Sequence, residues 1–297
     1  MTQLPMFGQP PDEPEGKPAG DQVMRLRVLV TVKAAPNPSA KYGETVCVAG
    51  LSLDPVRQGW IRLYPINFRE LGEDASFRKY DIITVDSVPA RQDSRRESWR
   101  PRMDTLRVEM SLKGWHRRRP WLDPAISSTT MCRLHRDATM DSPSLALIRP
   151  QQVTGFTVTR FSGWTPDQQA RIDKYVSQLS LFGDEDRTPL EAPRFTGAYH
   201  YLCFEPDCRG HKQGFLDWEF VALQRRLNSR SDAAARKELE QRFLRELCAP
   251  DREVSFYVGN QAKHPRTFSV LGVYWPQRHS SAARSARPDN SASTTSR

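Results

Sequence analysis

Cysteine and histidine are scarce in this sequence, five and six in 297 residues. The cysteines form no even framework, which argues against a disulfide-stapled secreted domain and leaves them as reduced thiols or metal ligands. Also missing is any apolar run of the roughly 18 to 20 residues that crosses a bilayer. The opening MTQLPMFGQPPDEPEGKPAGDQ lacks the basic and apolar regions of a secretory signal. These absences give the expectation of a soluble, cytoplasmic protein with no membrane partner.

What the chain has is positive charge, a formal net of +9. The N-terminal stretch to Val23 sets Asp12, Glu13, Glu15 and Asp21 against Lys17, and the stretch from Gln277 sets Arg278, Arg284, Arg287 and Arg297 against Asp289. The two ends cancel, so the excess belongs to the body between them, which favours a polyanionic partner such as nucleic acid. Much of it sits in one segment, Arg91 to Trp121, where nine arginines and Lys113 face Asp93, Glu97, Asp104 and Glu109. Trp99, Trp115 and Trp121 are interleaved with it. Guanidinium forks match phosphate oxygens and an exposed indole stacks on a base. Arg95, Arg96, Arg100, Arg117, Arg118 and Arg119 are therefore candidates to hold a strand, with Trp99 and Trp115 as stacking platforms. The alternative is a solvated surface whose tryptophans anchor the core.

Hydrophobic periodicity divides the chain. Residues 1–23 and 277–297 are rich in Pro, Gly, Ser and charge and read as disordered tails. Over 24–112, MRLRVLVTVKA, ETVCVAGLSL, GWIRLYPI, YDIITVDSV and DTLRVEMSL read as short strands between turns, a small sandwich or barrel. A second β-rich block spans 113–164. A helix with Thr165 as N-cap and Pro166 at its first position opens a linker region, 165–194. Residues 195–276 read as an α+β module, with helices over DWEFVALQRRLNSR and DAAARKELEQRFLRELC.

The densest chemistry is YHYLCFEPDCRGHKQGFLDWE, Tyr199 to Glu219. Zinc takes four N or S ligands, and tight turns between paired ligands bring them together. Cys203, Cys208 and His211 are the candidate ligands, with a Pro-Asp turn between the cysteines and Gly210 before the histidine. His200 is a weaker fourth, since three residues along a strand it faces away from Cys203. Cys248 and His264 are the other candidates. A closed set would be structural. The rival reading is catalytic, a metal-dependent nuclease using His211, Asp217 and Glu219. Against it, Asp217 and Glu219 suit the start of a helix, and Val221 stands where a lysine would follow Glu219. A Cys203–His211 nucleophile pair lacks a third, orienting group.

Taken together, RVLVTVKAAPNPSAKYGETVCVAGL, GWIRLYPINFR, FRKYDIITVD, SLALIRP, the C-x4-C-x-G-H…DWE run and FYVGNQAKHPRTFSVLGVYWP resemble the dual-OB-containing family of bacterial proteins, from Arg25 to Pro276. That resemblance implies two oligonucleotide-binding-type (OB-like) barrels in tandem, linked to conflict and phage-defence loci. Cys203, Cys208, Gly210, His211, Asp217, Trp218 and Glu219 match its last block, and His200 is not among the matched positions. The resulting expectation is an α+β chain of two tandem OB-like barrels and a C-terminal module. It would bind DNA or RNA as an accessory factor, with structural zinc as cofactor. A nuclease, or a protein-interaction subunit of a larger defence complex, are the rivals.

Overall fold

A computed structural model describes residues 17, 18, 20–55, 57–67, 76–138, 142–177, 189–262 and 264–278. The two expected tails fall almost wholly outside them. The first block is β1 (Met24–Lys33), β2 (Asn37–Ser39), β3 (Gly43–Ser52), β4 (Trp60–Ile66), β5 (Asp81–Pro89), β6 (Ser98–Pro101) and β7 (Arg107–Ser111). Hydrogen bonding runs β1-β3-β4-β6-β5, and β5 returns to β1, with Met24 opposite Ser87 and Leu29 opposite Ile82. The result is a closed five-stranded barrel, with β2 and β7 as flanking additions. All its pairs are antiparallel except β4–β6, with Arg62 opposite Ser98. It is consistent with an OB-like barrel.

The alternation read in β1 explains both of its surfaces. Leu26, Val28 and Val30 point inward with Val46, Val48, Ile61, Leu63, Ile83, Val85 and Trp99. On the other face Arg25 and Arg27 meet solvent, but Leu29 and Val32 are buried in a second cluster with Ala49, Leu51 and Ile82. That cluster also contains Leu145, Leu147, Tyr257, Leu271 and Tyr274 from the C-terminal part, so a second sheet covers one side of the barrel. Strands covered on both faces lose their polar alternation, which is why VLVTV is nearly continuous.

Next come α1 (Trp115–Leu122), β8 (Ile126–Ser127), α2 (Met131–Arg136), β9 (Leu145–Ile148), β10 (Gln152–Arg160) and α3 (Pro166–Ser177). β11 (Phe195–Leu202), β12 (His211–Phe215), α4 (Trp218–Arg226), α5 (Asp232–Glu240), β13 (Ser255–Gln261) and β14 (His264–Tyr274) complete the chain. The second barrel expected over 113–164 does not close on itself among the described residues. Its strands join a seven-stranded sheet ordered β10-β11-β12-β14-β13-β9-β8. Four strands separate β10 from β9, about 24 Å of flat sheet at ~4.8 Å per strand. Yet only residues 149–151 link them, a span of at most about 15 Å, so the sheet rolls. Its concave core holds Phe156, Tyr199, Phe215, Phe256 and Val270, capped by Met131 and Leu134 of α2, Phe220 of α4, Leu239 of α5 and Phe243 of the π-helical turn that continues α5.

The helix expected after Thr165 forms. Thr165 Oγ1 accepts from the Gln168 amide at 3.3 Å while Gln168 Oε1 accepts from the Thr165 amide at 3.0 Å, a reciprocal cap. No helix among the described residues is long and apolar enough to cross a membrane.

Candidate metal centre and the basic segment

Leu202 ends β11, and the chain turns back into β12 through Cys203 to Gly210, with Tyr201 paired to His211 across the hairpin. The Cys208 amide donates to the Glu205 carbonyl at 3.0 Å, closing the expected Pro206-Asp207 turn. Gly210 has φ +93°, a conformation that side chains with a Cβ adopt at a cost. This loop brings Cys203, Cys208 and His211 together, as the spacing implied.

The fourth partner is Cys132, in the first turn of α2. The Sγ atoms of Cys132, Cys203 and Cys208 and a ring nitrogen of His211 all lie within 4.8 Å of one another. His211 Nε2 is 3.4 Å from both Cys132 Sγ and Cys208 Sγ. Zinc bonds of about 2.1 and 2.3 Å set tetrahedron edges of about 3.6 Å, so the separations fit a closed site of three sulfurs and one nitrogen. Soft thiolates with one imidazole suit zinc. The Cys203 amide also donates to Cys208 Sγ at 3.4 Å, which orients that sulfur.

Glu205 positions α2 against the loop. It accepts from Thr130, the N-cap of α2, at 3.1 Å, and pairs with Arg133 at 2.9 Å and Arg136 at 3.8 Å. The His211 ring lies between Tyr201, 5.1 Å away, and His135, stacked at 5.9 Å and 14°. Burial, and secondarily His135, hold the His211 imidazole below its ordinary value and hence neutral, the form that ligates metal. Burial and the neighbouring sulfurs push the Cys132 thiol up to about 12. Burial opposes the Cys203 thiolate, but hydrogen bonds led by the Glu205 backbone bring that thiol below its usual value.

The other proposed ligands lie elsewhere. His200 faces outward on β11, with Nε2 at 3.2 Å from Thr157 Oγ1. Cys248 follows the π-helical turn and packs against the concave core, its thiol directed at the Phe243 carbonyl. His264 is exposed at the start of β14. The nuclease constellation is also separated, because His211 opens β12 and Asp217 lies beyond its other end. Asp217 caps α4, accepting from the Glu219 amide at 2.9 Å, and holds Lys79 at 2.6 Å.

The basic segment is divided. Trp99 is 1% exposed inside the barrel, so its role as a stacking platform is corrected: alternation in β6 turns the indole inward. Trp115 is half-buried among Tyr80, Tyr274 and Trp275, with Arg118 over its ring at 4.9 Å. Arg95 chelates Asp93 and donates to the Asn260 carbonyl at 2.8 Å. Arg118 donates to the Leu112 carbonyl, and Arg119 pairs with Asp123 and Glu253. Arg96 is half-buried, while Arg100 and Arg117 are exposed.

OB-like barrels take ligands on their second and third strands and the loops after the first and fourth. Here those parts dock the second sheet. Ala35 donates to the Leu216 carbonyl, Arg62 on β4 to the Ser144 carbonyl, and Arg95 in the β5–β6 loop to Asn260.

Family models match the same two units. Residues 24–124 match the model described as Domain of unknown function (DUF8758), and residues 127–292 that described as Domain of unknown function (DUF8757). No curated protein matches the sequence. All four clustered residues, Cys132, Cys203, Cys208 and His211, fall within the longer match. That match covers more than half of the chain, which therefore belongs to the family described as Domain of unknown function (DUF8757).

Proposed function

We propose that this protein is a nucleic-acid-binding accessory factor, pinned by a structural zinc ion at Cys132, Cys203, Cys208 and His211. The observation that carries the reading is the closed barrel with OB-like strand order in a chain of net charge +9. Such barrels pair a positive groove with stacking surfaces. The resemblance to dual-OB proteins adds that the factor serves a bacterial defence or mobile-element system. Zinc at the closed site would fix α2 to the β11–β12 hairpin, with Glu205 and the Cys203 amide supporting the ligands. With four protein ligands, the metal has no position for substrate.

The test is anisotropy of labelled single-stranded DNA and RNA over a salt series. Neutralising about four phosphates on a single strand gives about a 50-fold loss of affinity between about 50 and 200 mM salt. No affinity for either strand at the low-salt end sinks the reading.

A further inference from the structure

A cleft of about 250 Å3 opens where the second sheet stops covering the β3–β4 face of the barrel. Trp60 of β4, Ser127 and Ser128 line it, together with Arg133 of α2 and Asp137 just beyond that helix. Glu97, 4% exposed, adds a buried carboxylate that accepts from Ser144 and pairs with Arg62 at 3.5 Å. The cleft is smaller than the roughly 300–1,000 Å3 of pockets that hold whole drug-sized ligands. Its size suits one flat ring. An indole on the wall offers stacking, hydroxyls and a carboxylate offer partners to the polar edge of a base, and Arg133, paired with Glu205 at 2.9 Å yet with its side chain 55% exposed, leaves guanidinium surface for a phosphate outside.

We infer that this cleft takes a single unstacked base of a bound strand, and that it is the part of the barrel's ligand face left open by domain docking. The inference rests on the nucleic-acid reading above and deepens it. The positive body and Arg133 favour a polyanionic chain over a neutral oligosaccharide, the other ligand of such barrels.

α2 joins this cleft to the metal centre. Cys132 is a ligand, and the next two residues, Arg133 and Leu134, face the cleft. A metal that fixes Cys132 therefore also fixes one cleft wall.

The test compares single-stranded 15-mers, in DNA and RNA form, with abasic strands of the same length and charge. Wild-type protein is expected to bind the base-bearing strand at least about fivefold more tightly, since one stacked base contributes about 1–3 kcal/mol. Ser128→Trp fills the cleft from a loop position and is expected to erase that preference while keeping the salt slope. Ser127→Tyr plugs the same wall if the first variant does not fold. A base preference that survives both folded plugs overturns the cleft inference and leaves the nucleic-acid reading standing. Wild type that binds neither strand at low salt overturns both.

Discussion

Lys79 Nζ lies 2.6 Å from Asp217 Oδ2 across the junction of barrel and sheet, and the two side chains are 7% and 2% exposed. Glu219 Oε2 is a second, exposed partner at 3.7 Å. Gly272 leaves room for the pair, since a Cβ there would stand 3.2 Å from both charged atoms. Beside it, Ala34 bridges the Asp217 backbone. One carboxylate thus caps α4 and ties the two units together.

Removing one partner leaves the other charge buried and alone. Lys79→Met is expected to cost about 3–5 kcal/mol in urea unfolding. Lys79→Met with Asp217→Asn should recover most of that loss, because the asparagine still caps α4 and carries no charge. Equal stability of Lys79→Met and wild type would contradict a working ion pair.

The pair also sets a pH dependence. Burial pushes Asp217 up to about 6, with Lys79 pulling the other way, while the unfolded value is about 3.9. Between those values the folded state binds a proton that the unfolded chain has released. Asp217 therefore contributes most below about pH 4, and its contribution falls as pH rises to about 6. Burial works against the Lys79 charge, but Asp217 and then Glu219 outweigh it and hold the ammonium above its ordinary value. Its contribution is full below that ordinary value and is lost at higher pH. Thermal unfolding of wild type against Asp217→Asn between about pH 4 and 7 checks the first limb; parallel curves would contradict it.

Trp99 tests the division of the basic segment. Trp99→Ala is expected to destabilise the barrel by about 3–5 kcal/mol. Per folded molecule, its affinity for oligonucleotides should match wild type. A stable variant with lost binding would restore the indole as a contact.

Much of the barrel was legible because β1 alternates where one face meets solvent, and β3, β4 and β5 are short runs rich in β-branched and aromatic residues between turn signals. The second sheet was not, because a strand's own pattern does not say which sheet it joins. β9 and β10, neighbours in sequence, lie at opposite sides of the sheet order, with four strands between them. α1 and α2 were hidden for different reasons: WHRRRPWL contains Pro120 and no apolar stripe, and MCRLHR is six residues long. Cys203, Cys208 and His211 could be found because one hairpin holds them. Cys132 could not, since its proximity comes from tertiary packing of α2. The available hint was weak: Cys132 lies three residues before His135, behind a good N-cap at Thr130.

Glu205 is expected to act on the metal through α2. Its substitution by alanine releases Thr130, Arg133 and Arg136, and outer partners of this kind change metal affinity by about 10–100-fold. Zinc transfer to a chromogenic chelator should be correspondingly easier from Glu205→Ala than from Asp207→Ala, its neighbour in the turn. Equal transfer would show that α2 is held by other contacts.

In the proposed zinc site, Cys132 is the fourth ligand, beside Cys203, Cys208 and His211. Elemental mass spectrometry of untagged wild type, Cys132→Ser and Cys248→Ser tests it most directly. About one zinc per chain is expected in wild type and in Cys248→Ser, and its loss, with a lower unfolding temperature, in Cys132→Ser. A full zinc complement in Cys132→Ser, or none in folded wild type, would contradict it.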